Sequence, residues 1–203
     1  GANIVLDDAD WDIAVDGSIW ASFYHQGQVC ESGTRLLLAK QDHDGFVEQV
    51  VEKLGAMRMG DPMDPATQLG PVVSESHMKS VLDYIAIGRS EGANLAYGGG
   101  REQAGDLGKG FFVQPTLFTG VTNDMRIARE EIFGPVLCVM AYESEDEAVA
   151  IANDSIFGLG GGVWSDDIDR AKQVAGRMRT GTVWINDWHL LSERMPFGGY
   201  KQS

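Results

Sequence analysis

Apolar residues recur at two periods along this chain, and the changes of period mark its elements. Trp11, Val15, Ile19 and Phe23 fall four residues apart, one face of a helix. Asp7, Asp8 and Asp10 precede that face, where carboxylates suit the positive end of a helix, and Gly27 ends it. Residues 34–39, with Leu36, Leu37 and Leu38 in a row, predict a buried strand. Residues 46–54 predict a second amphipathic helix. Residues 74–91 predict a third, with Val81, Leu82, Ile85 and Ala86 on its buried face. Between these two helices, residues 60–71 carry three prolines and two glycines and are predicted as an ordered loop.

The second half continues the alternation. Residues 94–97 predict a short strand, followed by a loose glycine-bearing segment to Gly110 and an extended stretch over 111–118. Strands are predicted at 136–142, 160–164 and 182–185, and helices at 145–153 and 168–178. Strands alternating with helices predict an α/β fold: a mainly parallel, twisted sheet with helices on both faces. No repeat, low-complexity tract or linker divides the chain, so one domain is expected over residues 1–203.

Composition narrows the class. Of 203 residues, 43% are hydrophobic and 23% charged, the balance of an ordinary globular protein. The net charge is −14, with the basic residues scattered, so nucleic acid and anionic membrane are not expected partners. No apolar run reaches the length of a bilayer span and the first residues do not read as a signal peptide. With only two cysteines, this predicts a cytoplasmic protein. His25, His43, His77 and His189 lie far apart and no metal site is expected. Asp42-His43-Asp44-Gly45 lacks the glycine and the glutamate that a calcium loop needs further on. Asn153-Asp154-Ser155 fits a glycosylation sequon by chance.

Cys30 is the candidate for chemistry. It lies in a glycine-flanked loop, His25 to Gly33, between a predicted helix and a predicted strand, a place suited to a nucleophile. A lone cysteine is more commonly a buried core thiol. Cys138, inside the apolar run 136–140, reads as that kind. Gly158 to Gly162 invites reading as a phosphate loop, but its glycines follow a helix and enter a strand. A dinucleotide fingerprint runs the other way.

Taken with its surroundings, Cys30 gives the chain a resemblance to the aldehyde dehydrogenase superfamily. Asn3 to Asp10, Gly27-Gln28-Val29-Cys30, Gly60-Asp61-Pro62 through Gly70-Pro71-Val72, Glu130 to Val136 and Pro196 to Ser203 resemble family segments, in family order. The resemblance covers only the family's catalytic domain. It implies that the nucleotide-binding domain, the general-base glutamate, an oxyanion-holding amide and the C-terminal tail are missing from these residues.

What the resemblance implies for chemistry is specific. Cys30 would attack an aldehyde to form a thiohemiacetal, lose hydride to NAD or NADP, and leave a thioester for water to hydrolyse. Its own N–H would be one oxyanion donor. Glu131 would bind the nicotinamide ribose and Phe133 would flank the nicotinamide. Val29, Glu31, Asn186, His189 and Phe197 would shape the substrate pocket, with Trp188, Leu190 and Leu191 on the same loop. For Leu190 and Leu191, ordinary packing weighs as much. Glu31 departs from the family, which has a small or neutral residue there. An inward carboxylate would disfavour the thiolate, so Glu31 is expected to point away. The fragment is expected to be nearly inactive, to hold little cofactor and to form a homo-oligomer through exposed edges. Two alternatives stand beside this: a non-catalytic fragment that self-associates, and residual esterase or thioesterase action by Cys30.

Overall fold

In a computed structural model describing residues 1–203, the strands form one seven-stranded sheet and a small two-stranded ribbon. The strands are β1 (Ala2–Val5), β2 (Arg35–Ala39), β3 (Asn94–Tyr97), β4 (Thr116–Thr119), β5 (Val136–Tyr142), β6 (Phe157–Gly158), β7 (Gly160–Trp164), β8 (Thr182–Ile185) and β9 (Tyr200–Lys201). The large sheet runs β3-β4-β5-β2-β1-β7-β8 and is parallel throughout except for the antiparallel edge pair of β3 and β4. Ribbon β6-β9 pairs Phe157 with Lys201. The α/β class and the mainly parallel sheet are as expected.

The helices are α1 (Trp11–Phe23), α2 (His43–Ala56), α3 (Glu75–Ser90), α4 (Arg126–Arg129), α5 (Glu145–Asn153) and α6 (Ile168–Ala175). Alternation along the strands sorts the core into two layers. Val5, Leu36, Leu38, Leu137 and Val139 face α1 and α2, packing with Val15, Phe23, Phe46 and Val50. Ile4, Leu37, Cys138 and Met140 face the opposite layer, with Val81, Ile85, Ala148 and Ala171. A sheet buried on both faces explains the unbroken Leu36-Leu37-Leu38 run.

Several boundaries differ from the sequence expectation for identifiable reasons. β1 is not expected from the sequence at all: its four residues carry no polar alternation, because it is buried on both faces between β2 and β7. On α3 the buried side chains are Met78, Val81 and Ile85, with Gly88 beside them, while Ala86 is exposed. Within residues 111–118 only the end enters the sheet; Val113 makes a lone bridge to Arg101. α6 ends at Ala175, with Gly176 following.

α1 buries Ser18 and Ser22 as well as apolar residues. Ser22 Oγ donates to Gly33 O at 3.0 Å, and Ser18 belongs to a polar pin inside the core. Asn3 on β1 donates to Ser18 Oγ at 3.1 Å, and Trp164 Nε1 donates to Asn3 Oδ1 at 2.6 Å. Every member is buried and each bond answers a polar group that would otherwise be stranded.

The glycine run beside β7 is close packing, as its order in the sequence predicted. A Cβ on Gly162 would lie 2.3 Å from the Trp188 ring, so the indole fills the place of a side chain.

Candidate functional site

The loop that carries Cys30 is set by backbone geometry. His25, Gln26 and Gly27 have φ of 51°, 60° and 69° in succession. Two of the three are not glycine, so this reversal is strained and needs outside support. The support is contact. A Cβ on Gly27 would sit 2.2 Å from the carbonyl oxygen of Gly134, which leaves only glycine able to pack there. Gln28 Oε1 accepts from Val73 N at 3.0 Å, and Gly33 N donates to Ala21 O at 3.0 Å. Cys30 emerges exposed from this braced turn, while Cys138 is buried.

The Gly27 contact also brings a second segment to Cys30. Phe133 precedes Gly134, has φ of 57°, and has its carbonyl oxygen 2.6 Å from His77 Nε2 at the start of α3. Cys30, Val29, Glu131 and Phe133 line one cavity of about 330 Å³. The adjacent carboxylates differ. Glu130 is tied to Arg126 and Tyr84, which pull its pKa down to about 2. Glu131, also lining the cavity, is exposed and has no hydrogen-bond or ion-pair partner.

The same cavity holds residues that no motif marked. Ser32 Oγ, Arg35 Nε and Thr180 Oγ1 line it and have no hydrogen-bond partner although buried. Arg35 Nη2 is spent on Asn123 Oδ1 and Ile151 O, both at 2.6 Å. Burial lowers the Arg35 pKa to about 10, with Asp154 acting against it. Orphaned polar groups beside a free carboxylate fit a polar ligand that both donates and accepts. One signal of Arg35 was visible in the sequence: a charge opening an otherwise apolar strand.

Glu31 corrects an expectation. It does not point away. Its residue is 8% exposed, and Cys30 Sγ donates to Glu31 Oε2 at 3.3 Å. On the other side Glu31 Oε1 lies 3.2 Å from His189 Nδ1, while Trp188 Nε1 donates to the Glu31 backbone oxygen at 3.2 Å. A Cβ on Gly160 would be 2.8 Å from the Glu31 Cβ, so β7 makes room for the side chain. The Cys30 thiol is pushed above its usual pKa by burial first, then by the hydrogen bond to Glu31 and the charge of Glu31; nearby backbone N–H groups pull weakly the other way.

Around His189 stand four aromatic rings. Tyr24, Trp20, Trp188 and Trp184 have centroids 5.1, 5.9, 6.4 and 6.5 Å from the imidazole. Trp184 and Trp188 are buried, while Trp20 and Tyr24 are about half exposed. The remaining predicted site residues lie elsewhere. Asn186 spends its amide on the Ser165 backbone, accepting from N at 2.9 Å and donating to O at 2.8 Å. Phe197 is exposed on the loop before β9, as are Leu190 and Leu191, and none of them lines the Cys30 cavity.

Comparison with known proteins follows the same line. The aldehyde dehydrogenase family matches residues 1–203. Over 200 residues the chain is 50% identical to betaine aldehyde dehydrogenases of Brucella anthropi and Brucella melitensis, covering 98% of this chain and 41% of each relative. Its backbone superposes on the crystal structure of betaine aldehyde dehydrogenase from Staphylococcus aureus in complex with NAD+ with a TM-score of 0.98. That match has 42% identity and covers all of this chain and 40% of the other. The chain thus spans about two fifths of the length of these relatives.

Proposed function

Because the chain belongs to the aldehyde dehydrogenase family, we propose that these residues supply the nucleophile and one wall of the cofactor site for NAD-linked oxidation of an aldehyde to a carboxylate. The observation that carries this reading is that Cys30, Glu131 and Phe133 line one cavity. Cys30 adds to the aldehyde carbon and holds the acyl group as a thioester. Its backbone N–H donates to the oxygen that gains charge. Glu131 would accept from the ribose hydroxyls and Phe133 would flank the nicotinamide ring. The orphaned Ser32 and Arg35 donors suit the same polar ligand. NAD, when bound, would supply the hydride acceptor. The solved Staphylococcus aureus relative was crystallised with NAD+, which favours NAD over NADP as the cofactor here.

The curated relatives are named for betaine aldehyde, and the aromatic rings beside His189 support a cationic aldehyde as substrate, since ring faces attract quaternary ammonium groups. The 203 residues alone are expected to bind cofactor weakly and turn over slowly, because the relatives devote about three fifths of their length to other residues. A second reading rests on the exposure of Cys30: acyl transfer from an activated ester without cofactor.

Two measurements test this. An activated nitrophenyl ester should give a stoichiometric burst with this chain and none with Cys30→Ser. Exchanging this chain for the matching segment of the Staphylococcus aureus enzyme should give a chimera that forms NADH from an aldehyde. Retained NADH formation after Cys30→Ser in that chimera would remove Cys30 from the mechanism.

A further inference from the structure

Glu31 is a carboxylate with a side chain only 10% exposed, and the sole basic group within ion-pairing distance is His189, itself 7% exposed. A carboxylate only accepts, so His189 Nδ1 carries the hydrogen between them. His189 Nε2 is buried and has no partner. His189 thus orients Glu31 through this one contact. The other oxygen of Glu31 takes the hydrogen of the Cys30 thiol. A buried carboxylate with no lysine or arginine beside it, touching an exposed thiol, is an incomplete arrangement.

We propose that Glu31, oriented by His189, is a charge-selecting residue: it holds Cys30 as the thiol until positive charge arrives beside Cys30, and so favours aldehydes with a cationic group close to the carbonyl. This rests on the reading of Cys30 as nucleophile and adds a selection step to it. Opposite charge changes an ionisation from within about 4–6 Å, and an ammonium two bonds from a carbonyl carbon that meets Sγ is brought towards Glu31, whose Oε2 is 3.3 Å from that sulfur. The cation offsets the carboxylate and the thiol proton leaves to solvent through the exposed side of Cys30. The sulfur pair forms the S–C bond while the carbonyl π pair moves to oxygen. A neutral aldehyde of the same size leaves Glu31 uncompensated. Half-exposed Trp20 and Tyr24, packed together at 4.4 Å beside His189, are aromatic rings of the kind that attract a cation.

The test labels Cys30 in the 203-residue chain with two methanethiosulfonates, one bearing a trimethylammonioethyl group and one a neutral group of equal size. In each reaction the thiolate displaces methanesulfinate and a mixed disulfide forms. Rates are divided by those of a small free thiol, and Cys138 stays unlabelled because it is buried. The native chain should prefer the cationic reagent, and Glu31→Gln should cut that preference about tenfold, the change in thiolate that one pKa unit makes. Glu31→Asp should restore part of it. Asp44→Asn, on an exposed carboxylate of α2, changes net charge equally and should leave the preference intact. His189→Phe removes the group that orients Glu31 and should lower the preference even if Glu31→Gln fails to fold. Equal preference in the native chain, Glu31→Gln and His189→Phe would overturn the proposal. Labelling needs neither cofactor nor turnover, so this result is independent of whether Cys30 proves to be the catalytic nucleophile.

Discussion

Gly27 and Gly134 touch backbone to backbone, and that contact joins the loop of Cys30 to the turn of Phe133. No side chain fits between them, since a Cβ on Gly27 would stand 2.2 Å from the Gly134 oxygen. Gly27→Ala should separate the two segments and strain a residue at φ 69°. We expect a loss of about 1–3 kcal/mol in urea denaturation, the usual cost of such strain. The burst from an activated ester should also change. An unaltered unfolding midpoint would show that the loop finds another path.

Asn186 is predicted to matter for stability and little for Cys30. Its amide clamps both backbone groups of Ser165, and its φ is 52°. Asn186→Ala should cost about 2 kcal/mol, two hydrogen bonds' worth, with the labelling rate of Cys30 unchanged. A large fall in that rate with native stability would instead give Asn186 a part in the site.

Cys138 should make the fold sensitive to alkali. Burial raises its pKa to about 12 from an ordinary 9, with Arg35 pulling weakly the other way. The unfolded chain therefore releases this proton first as pH rises. The contribution is complete below pH 9 and is lost progressively towards pH 12. Replacing the thiol by Cys138→Ala should flatten the decline in melting temperature over that window relative to the native chain. Parallel curves would assign the decline to other groups.

The Asn3 pin can be tested without touching the site. Asn3→Leu strands Trp164 Nε1 and Ser18 Oγ in the core. We expect a loss of about 2–4 kcal/mol from two unsatisfied groups, read by chemical denaturation. A neutral result would mean that water reaches the pin.

The apolar pattern disclosed most of the secondary structure because both faces of the sheet are covered, which gives long uniform runs such as Leu36 to Leu38. It did not disclose β1, since four buried residues carry no period. Ser18 on the buried side of α1 was unreadable without its partner Asn3. Cys30, Glu131 and Phe133, which line one cavity, were picked out by local motifs, whereas Ser32, Arg35 and Thr180 join that cavity only through the fold. The direction of Glu31 was misjudged for a further reason. In a loop no periodicity orients a side chain, and the partner that decides it, His189, is far away in sequence.

β8 forms one edge of the sheet, and exposed Leu190, Leu191 and Met195 follow it in the chain. An uncovered edge beside apolar side chains favours association. Light scattering should give a mass of at least two chains, and a mass of one chain would refute this.

The position of β1 has a consequence for how the chain reaches its fold. β1 lies in the middle of the sheet, with Ala2 paired to Arg35 on one side and to Gly161 on the other. The first neighbour lies close to it in sequence, the second far from it. One edge of β1 therefore stays open until β7 has been made and folded back. Pairings of such long range are slow to close. The arrival of β7 at that edge also brings Trp164 to Asn3.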